Sequence, residues 1–151
     1  MENTLSQKAI ESAAEFHSKG YNCAESIFLT FRTYISPEIS EDMVRMVTPF
    51  GGGLGRAGCM CGALSGATMI LGAAKGRINF ESSREPSYEL SYDFHEQFRT
   101  KFRTTCCRSL MKHKFGSKEQ RESCHKIITE SAGLLMDFLI DKDLVNSENK
   151  R

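Results

Sequence analysis

Apolar residues recur at helical spacing along most of the chain, and no stretch alternates between apolar and polar positions as a half-buried strand does. Near the start, Leu5, Ala9, Ala13 and Phe16 fall on one helical face, and Gly20 follows as a residue suited to end a helix. The pattern predicts an all-α fold, namely a single-domain helical bundle of about five to six helices with a glycine-rich central helix.

Capping residues and prolines predict where the later helices begin and end. Asn22 and Glu25 have the spacing of a capping box, and Ser117 and Gln120 have the same spacing ahead of the last helix. The predicted helices are about 23–34, 38–47, 88–102, a short helix capped by Thr104 or Thr105, and a last helix from about 118. The domain is predicted to cover 1–145, with 146–151 as a polar tail.

Glycine is concentrated in one part of the chain, since nine of the 12 glycines lie between positions 51 and 76. Gly58, Gly62 and Gly66 are four residues apart, which predicts a flat stripe on the central helix. Such a stripe lets another helix approach closely, either from the same chain or from a second copy in a homodimer. Residues 57–74 carry no charge, so the alternative of a membrane span stands beside the prediction of a buried helix.

Length and charge exclude several classes of protein. The chain has 151 residues, enough for one domain, and its 20 Lys and Arg against 19 Asp and Glu give a net charge of +1. This balance argues against binding to nucleic acid or to an anionic membrane through a basic surface. The first residues, MENTLS, lack the basic and apolar regions of a signal peptide, so a cytoplasmic location is expected.

Cysteine is the chemically informative residue, with six in the chain, at 23, 59, 61, 106, 107 and 124. None forms a C-x-x-C pair, so any cysteine site must be assembled from distant helices. Cys23, Cys61 and Cys107 lie near predicted helix starts, where the helix dipole favours the thiolate, so each is expected to be nucleophilic or metal-binding if it is exposed. For Cys59 and Cys106 the expected role is that of small buried apolar residues.

Two other patterns carry weaker signals. The glycine-rich run at 51–58 lies ahead of a helix, as phosphate-binding loops do, but it lacks their G-x-x-x-x-G-K-[ST] pattern and no strand precedes it. A tight turn feeding a close-packed helix is therefore expected there. The four histidines are scattered, and each is expected to be a surface or internally hydrogen-bonded residue rather than a metal ligand.

The cysteines and their surroundings resemble a family of redox-active proteins that is known by its cysteine pattern, C_GCAxxG_C_C. The motif CGALSG at 61–66 follows a glycine-rich loop, GYNCAE at 20–25 matches the upstream cysteine, CRSL at 107–110 matches the third, and Cys124 matches the fourth. The resemblance covers nearly the whole chain. Cys59 and Cys106 lie outside the pattern.

The resemblance implies a redox function for Cys23, Cys61, Cys107 and Cys124, with an iron–sulfur cluster or a thiolate-bound metal as the candidate cofactor. Its members are often encoded near transporters, and a similar module accompanies haem in split-Soret cytochromes. This chain has no C-x-x-C-H motif, so covalent haem is not expected.

Three functions follow from these residues. In the first, the four cysteines carry electrons, either by thiol–disulfide exchange with Cys23 and Cys61 as the attacking pair, or through a cluster. The counterpart would be a redox partner protein or a small-molecule oxidant or reductant. In the second, four thiolates hold a structural zinc-like ion. In the third, the chain is a helical interaction module with buried thiols.

Overall fold

Helices make up every regular element in the part of the chain that the structure describes. This computed structural model describes residues 3–145. The α-helices are α1 (Leu5–Lys19), α2 (Cys23–Ile35), α3 (Gly51–Leu54), α4 (Gly62–Lys75), α5 (Glu85–Phe102), α6 (Cys107–Leu110) and α7 (Lys118–Asp141). Two 3-10 helices, Glu41–Met46 and Thr48–Phe50, lie between α2 and α3. The predicted all-α bundle is confirmed, with five long helices and two single-turn ones.

The helices α2 and α4 form the centre of the bundle, and each buries seven residues. Gly66 of α4 lies directly against the backbone of Ala24, so a Cβ there would stand 2.7 Å from the carbonyl oxygen of Ala24. Gly62 lies against the Cys23 side chain in the same way. The predicted glycine stripe therefore packs against a helix of the same chain.

The outer helices complete one hydrophobic core. α1 packs on α7 through small residues, with Ala9 and Ala13 fully buried and Gly133 in contact with Ile10. α5 places Phe94 and Phe98 in the core, and the Phe94 ring meets Phe138 of α7 edge to face. This arrangement brings the starts of α2, α4 and α6 near the first turns of α7.

Several boundaries differ from the sequence prediction. Gly58 lies outside the central helix, in the loop with a φ of 92°, because α4 begins only at Gly62. The segment predicted as a helix at 38–47 forms a 3-10 helix from Glu41. Thr104 does not cap α6, because the N-cap is Cys106, whose amide donates to the Thr104 hydroxyl.

The last helix starts at the predicted place, but only one of the two hydrogen bonds of the predicted capping box forms. Ser117 accepts from the Gln120 amide, whereas the Gln120 side chain accepts from the Gly116 amide instead of returning to Ser117. The predicted tail at 146–151 lies outside the described residues. Among residues 3–145, no helix is both long and apolar enough to cross a membrane.

Candidate four-cysteine site

One cavity of about 480 Å³ opens between the start of α2, the glycine-rich loop, α6 and α7. Its wall includes all four cysteines that the family pattern selects: Cys23, Cys61, Cys107 and Cys124. Cys59 and Cys106 are not part of this wall. Four cysteines that are up to 101 positions apart in the sequence thus share one enclosed space.

Cys23 is fixed by the cap of α2 and by the glycine-rich loop. The predicted capping box is complete, because Asn22 accepts from the Glu25 amide and the Glu25 carboxylate accepts from the Asn22 amide, both at 2.9 Å. Gly51 lies so close to the Asn22 side chain that a Cβ would collide with it. A hydrogen bond from the backbone of the next residue, Gly52, lowers the pKa of the Cys23 thiol.

Cys61 and Cys107 are held together by two short backbone segments. The Cys61 amide donates to the Thr105 carbonyl at 2.8 Å, and the Arg108 amide donates to the Gly58 carbonyl at 3.0 Å. Residues 58–61 and 105–108 therefore run side by side. As a result, Cys61 caps α4 and Cys107 opens α6 at the same end of the cavity.

Cys124 reaches the cavity from the second turn of α7. The Gln120 side-chain amide, one turn earlier, donates to the Cys124 sulfur at 3.2 Å. His17 of α1 also lines the cavity, and its ring nitrogen lies 2.9 Å from that of His125. His17 is thus hydrogen-bonded within the fold, as expected for the histidines, but it also belongs to the cavity wall.

Burial, rather than helix position, sets the protonation of the cavity thiols. It raises the pKa of Cys61 to about 12, even though the Ala63 and Leu64 amides at the start of α4 pull it the other way. Burial, together with the charge of Cys23, raises the pKa of Cys107 to about 11. Burial also raises the pKa of Cys23 and of Cys124, against the hydrogen bonds from Gly52 and Gln120. Cys61 and Cys107 are buried, so the exposure that a nucleophilic cysteine needs at these helix starts is absent at both.

Cys59 and Cys106 depart from their expected role as buried apolar residues. Cys59 is exposed and Cys106 is partly exposed. Their sulfur atoms are 3.0 Å apart, which makes them a contacting pair on the outside of the protein. Nothing in the sequence indicates this contact, since the two residues are 47 positions apart.

Two cations also belong to the cavity wall. Arg56, in the glycine-rich loop, and Arg121, in the first turn of α7, both line the cavity. Arg56 has a φ of 71°, a left-handed conformation that is uncommon for a residue other than glycine. Both positions agree with the sequence, in which Arg56 precedes Cys61 by five residues and Arg121 precedes Cys124 by three residues of one helix.

These features define an all-α protein with a buried four-cysteine site. The family model described as "Putative redox-active protein (C_GCAxxG_C_C)" matches residues 21–138, which include all four cysteines. The chain belongs to this family. No curated protein and no solved structure matches the chain.

Proposed function

We propose that the chain is an electron-carrying redox protein and that Cys23, Cys61, Cys107 and Cys124 hold an iron–sulfur cluster in the cavity. The observation that carries this proposal is their convergence on one cavity from four separate elements, while the other two cysteines stay outside it. Four cysteine thiolates are the ligand set common to 2Fe–2S and 4Fe–4S centres. Bound there, a cluster would supply one-electron transfer to a partner protein or a small molecule.

The shape of the site favours a cluster over a single ion. A tetrahedral zinc site needs four sulfur atoms at about 2.3 Å from one point. Within residues 3–145, no group of three or more His, Cys, Asp or Glu side chains is placed to hold one metal ion. A cavity of about 480 Å³ is also far larger than a single ion needs. The cysteines instead surround an extended space, which suits a group whose ligands are spread over several iron atoms.

The cavity wall also suits the negative charge of four thiolates. Arg56 and Arg121 bring two permanent positive charges to it. Amide groups already point at three of the sulfurs, from Gly52 to Cys23, from the start of α4 to Cys61, and from the Gln120 side chain to Cys124. Hydrogen bonds to ligand sulfurs are among the features that set the potential of such centres.

Proton release is a necessary part of the proposal. Because burial keeps the four thiols protonated at neutral pH, ligation must remove a proton from each of them. His17 lies in the same wall, and burial together with the charge of His125 lowers its pKa, so its ring is neutral at pH 7. We infer that iron uptake by the purified protein strengthens as the pH rises above 7.

The experiment is iron and sulfide analysis with a visible absorption spectrum, on the full chain purified without oxygen and again after reconstitution with ferrous iron and sulfide. We expect both elements and a coloured protein. Replacing any of the four cavity cysteines with Ser should remove most of the iron. Cys59→Ser and Cys106→Ser are the matched controls, and they should retain it.

Three outcomes would overturn the proposal that these four cysteines hold a cluster. Iron loss in Cys59→Ser equal to that in Cys61→Ser would mean that the ligand assignment is wrong. A colourless protein that binds one zinc ion would support a structural metal site. A protein that takes up neither metal after reconstitution, and whose four cavity thiols form disulfides reversibly, would support thiol–disulfide exchange at the same residues.

A further inference from the structure

The contact between Cys59 and Cys106 comes from the backbone around it. The hydrogen bonds from Cys61 to Thr105 and from Arg108 to Gly58 lie on either side of the pair, and together they hold the two segments in register. Each cysteine therefore lies opposite the other between two fixed points. A disulfide requires a sulfur separation of about 2.05 Å, so the sulfurs would need to approach by about 1 Å from their 3.0 Å contact.

Tight packing beneath the pair limits other arrangements. A Cβ at Gly53 would stand 2.5 Å from the Cys59 amide nitrogen and 2.8 Å from the Cys107 Cβ, and a Cβ at Gly58 would collide with the Arg108 side chain. The glycines thus allow the two segments to meet closely. Cys59 and Cys106 are therefore each held next to the other, whereas a lone exposed thiol has no such neighbour.

The charge beside the pair favours an anionic reagent. The Arg108 side chain lies against Gly58, the residue before Cys59, and is exposed. Arg103, three positions before Cys106, is also exposed. Small disulfides that carry carboxylates, of which oxidised glutathione is an example, are attracted to such a surface, and the attraction is screened by salt.

We propose that Cys59 and Cys106 form an exposed dithiol site that reduces small anionic disulfides and becomes a disulfide itself. One cysteine attacks a sulfur of the reagent disulfide and displaces the first small thiol. The other cysteine then attacks the mixed disulfide and displaces the second thiol. Two electrons pass to the reagent, its S–S bond breaks, the Cys59–Cys106 bond forms, and the two thiol protons end on the two released thiols. This site is separate from the cavity and does not depend on the proposed cluster.

The test is oxidation of the reduced full chain by oxidised glutathione under nitrogen, followed by acid quenching, alkylation and peptide mapping. Trypsin is expected to release 57–75, with Cys59 and Cys61, and 104–108, with Cys106 and Cys107. We expect a cross-link between these peptides and the loss of two of the six thiols. The cross-link should vanish in Cys59→Ser and in Cys106→Ser, and should persist in Cys61→Ser and Cys107→Ser.

Other patterns would overturn the proposal. A cross-link that survives Cys59→Ser would place the disulfide in the cavity instead. A stable glutathione adduct on Cys59 without a cross-link would mean that Cys106 does not act as the second thiol. A folded, reduced protein that keeps all six thiols at a large excess of oxidised glutathione would also contradict it. Circular dichroism of each variant establishes that its helices are intact.

Replacing Arg108 tests the role of its charge separately. Arg108→Gln should slow oxidation by oxidised glutathione by up to about tenfold, and leave the rate with a neutral disulfide, bis(2-hydroxyethyl) disulfide, within about twofold. Arg84→Gln removes the same charge at the N-cap of α5, whose other end is capped by Arg103, and should change neither rate. The two proposals can also be separated, because Cys59→Ser should lose the exchange and keep iron, whereas Cys124→Ser should lose iron and keep the exchange.

Discussion

At the scale of single residues, Gln120 has the clearest local effect on a cavity cysteine. Its side chain accepts from the Gly116 amide at 3.0 Å and donates to the Cys124 sulfur at 3.2 Å. The second bond lowers the pKa of Cys124, which burial otherwise raises. The same side chain thus orders the start of α7 and favours the thiolate one turn later.

Gln120→Glu should slow the alkylation of Cys124. The carboxylate still accepts from Gly116, but it has no N–H for the sulfur and adds a negative charge beside it. Hydrogen bonds to charged groups contribute about 1.5–3 kcal/mol, so the thiolate fraction should fall roughly tenfold or more. The measurement is the rate of iodoacetamide labelling of Cys124 at pH 8, followed by peptide mass spectrometry.

Gln97→Glu is the matched control, because it makes the same change on an exposed residue of α5 outside the cavity wall. Its labelling rate at Cys124 should equal that of the original chain. If Gln120→Glu labels Cys124 as fast as this control does, the side-chain hydrogen bond has no influence on the thiol.

The identity of the site residues was predictable from the sequence, but their protonation and contacts were not. The four cysteines were identified from the family pattern, and the structure places them around one cavity. Their protonation was not predictable, because the sequence shows a helix start at Cys61 but not the burial that outweighs it. The contact between Cys59 and Cys106 was equally invisible, since it depends on how two distant loops pair.

At the scale of elements, the packing of α2 on α4 sets the spacing of two cavity cysteines. Gly62 and Gly66 present no side chain to α2, so the first turn of α2 lies directly on α4. Cys23 is the first residue of α2 and Cys61 is the N-cap of α4. A change in the distance between these helices therefore moves two cavity cysteines relative to each other.

Gly66→Ala should destabilise the protein and Gly72→Ala should not. The added methyl of Gly66→Ala meets the carbonyl of Ala24, a backbone atom that cannot rotate away, and such overpacking costs about 1–3 kcal/mol. Gly72 belongs to the same helix and has nothing within 4 Å of its Cβ position, so Ala there should gain up to about 1 kcal/mol from helix propensity. Urea unfolding measures both values. Equal effects at the two sites would contradict the close contact of α2 and α4.

The ends of helices were predictable where a capping residue next to the helix determines them. Asn22 and Glu25 form the expected capping box, and Gly20 ends α1 with a φ of 114°. The start of α4 was not predictable from the regular spacing of its glycines, because the loop up to Cys61 is held by hydrogen bonds to residues 105–108. Such long-range contacts, and not the local spacing of the glycines, determine where α4 begins.

At the scale of the whole molecule, the raised pKa values of the four cavity thiols make the metal-free protein less stable at alkaline pH. An unfolded cysteine has a pKa near 9, whereas that of Cys61 is about 12 in the folded protein. Between these values the unfolded chain loses its proton first, so the folded state binds more protons and the free energy of unfolding falls as the pH rises. The stability from the neutral thiol is complete below about pH 8 and is lost progressively above pH 9.

Cys61→Ser tests this linkage, because serine keeps the shape of the side chain and does not titrate in this range. One group contributes at most about 1.4 kcal/mol per pH unit between the two pKa values. The free energy of unfolding of the reduced, metal-free chain, measured in urea from pH 7 to pH 10.5, should therefore fall less steeply in Cys61→Ser, by up to that amount. Its absolute stability at pH 7 is immaterial, because only the slope reports on the thiol. Parallel curves for the two proteins would mean that Cys61 ionises in the folded state as readily as in the unfolded chain, and the cavity would then be open to water.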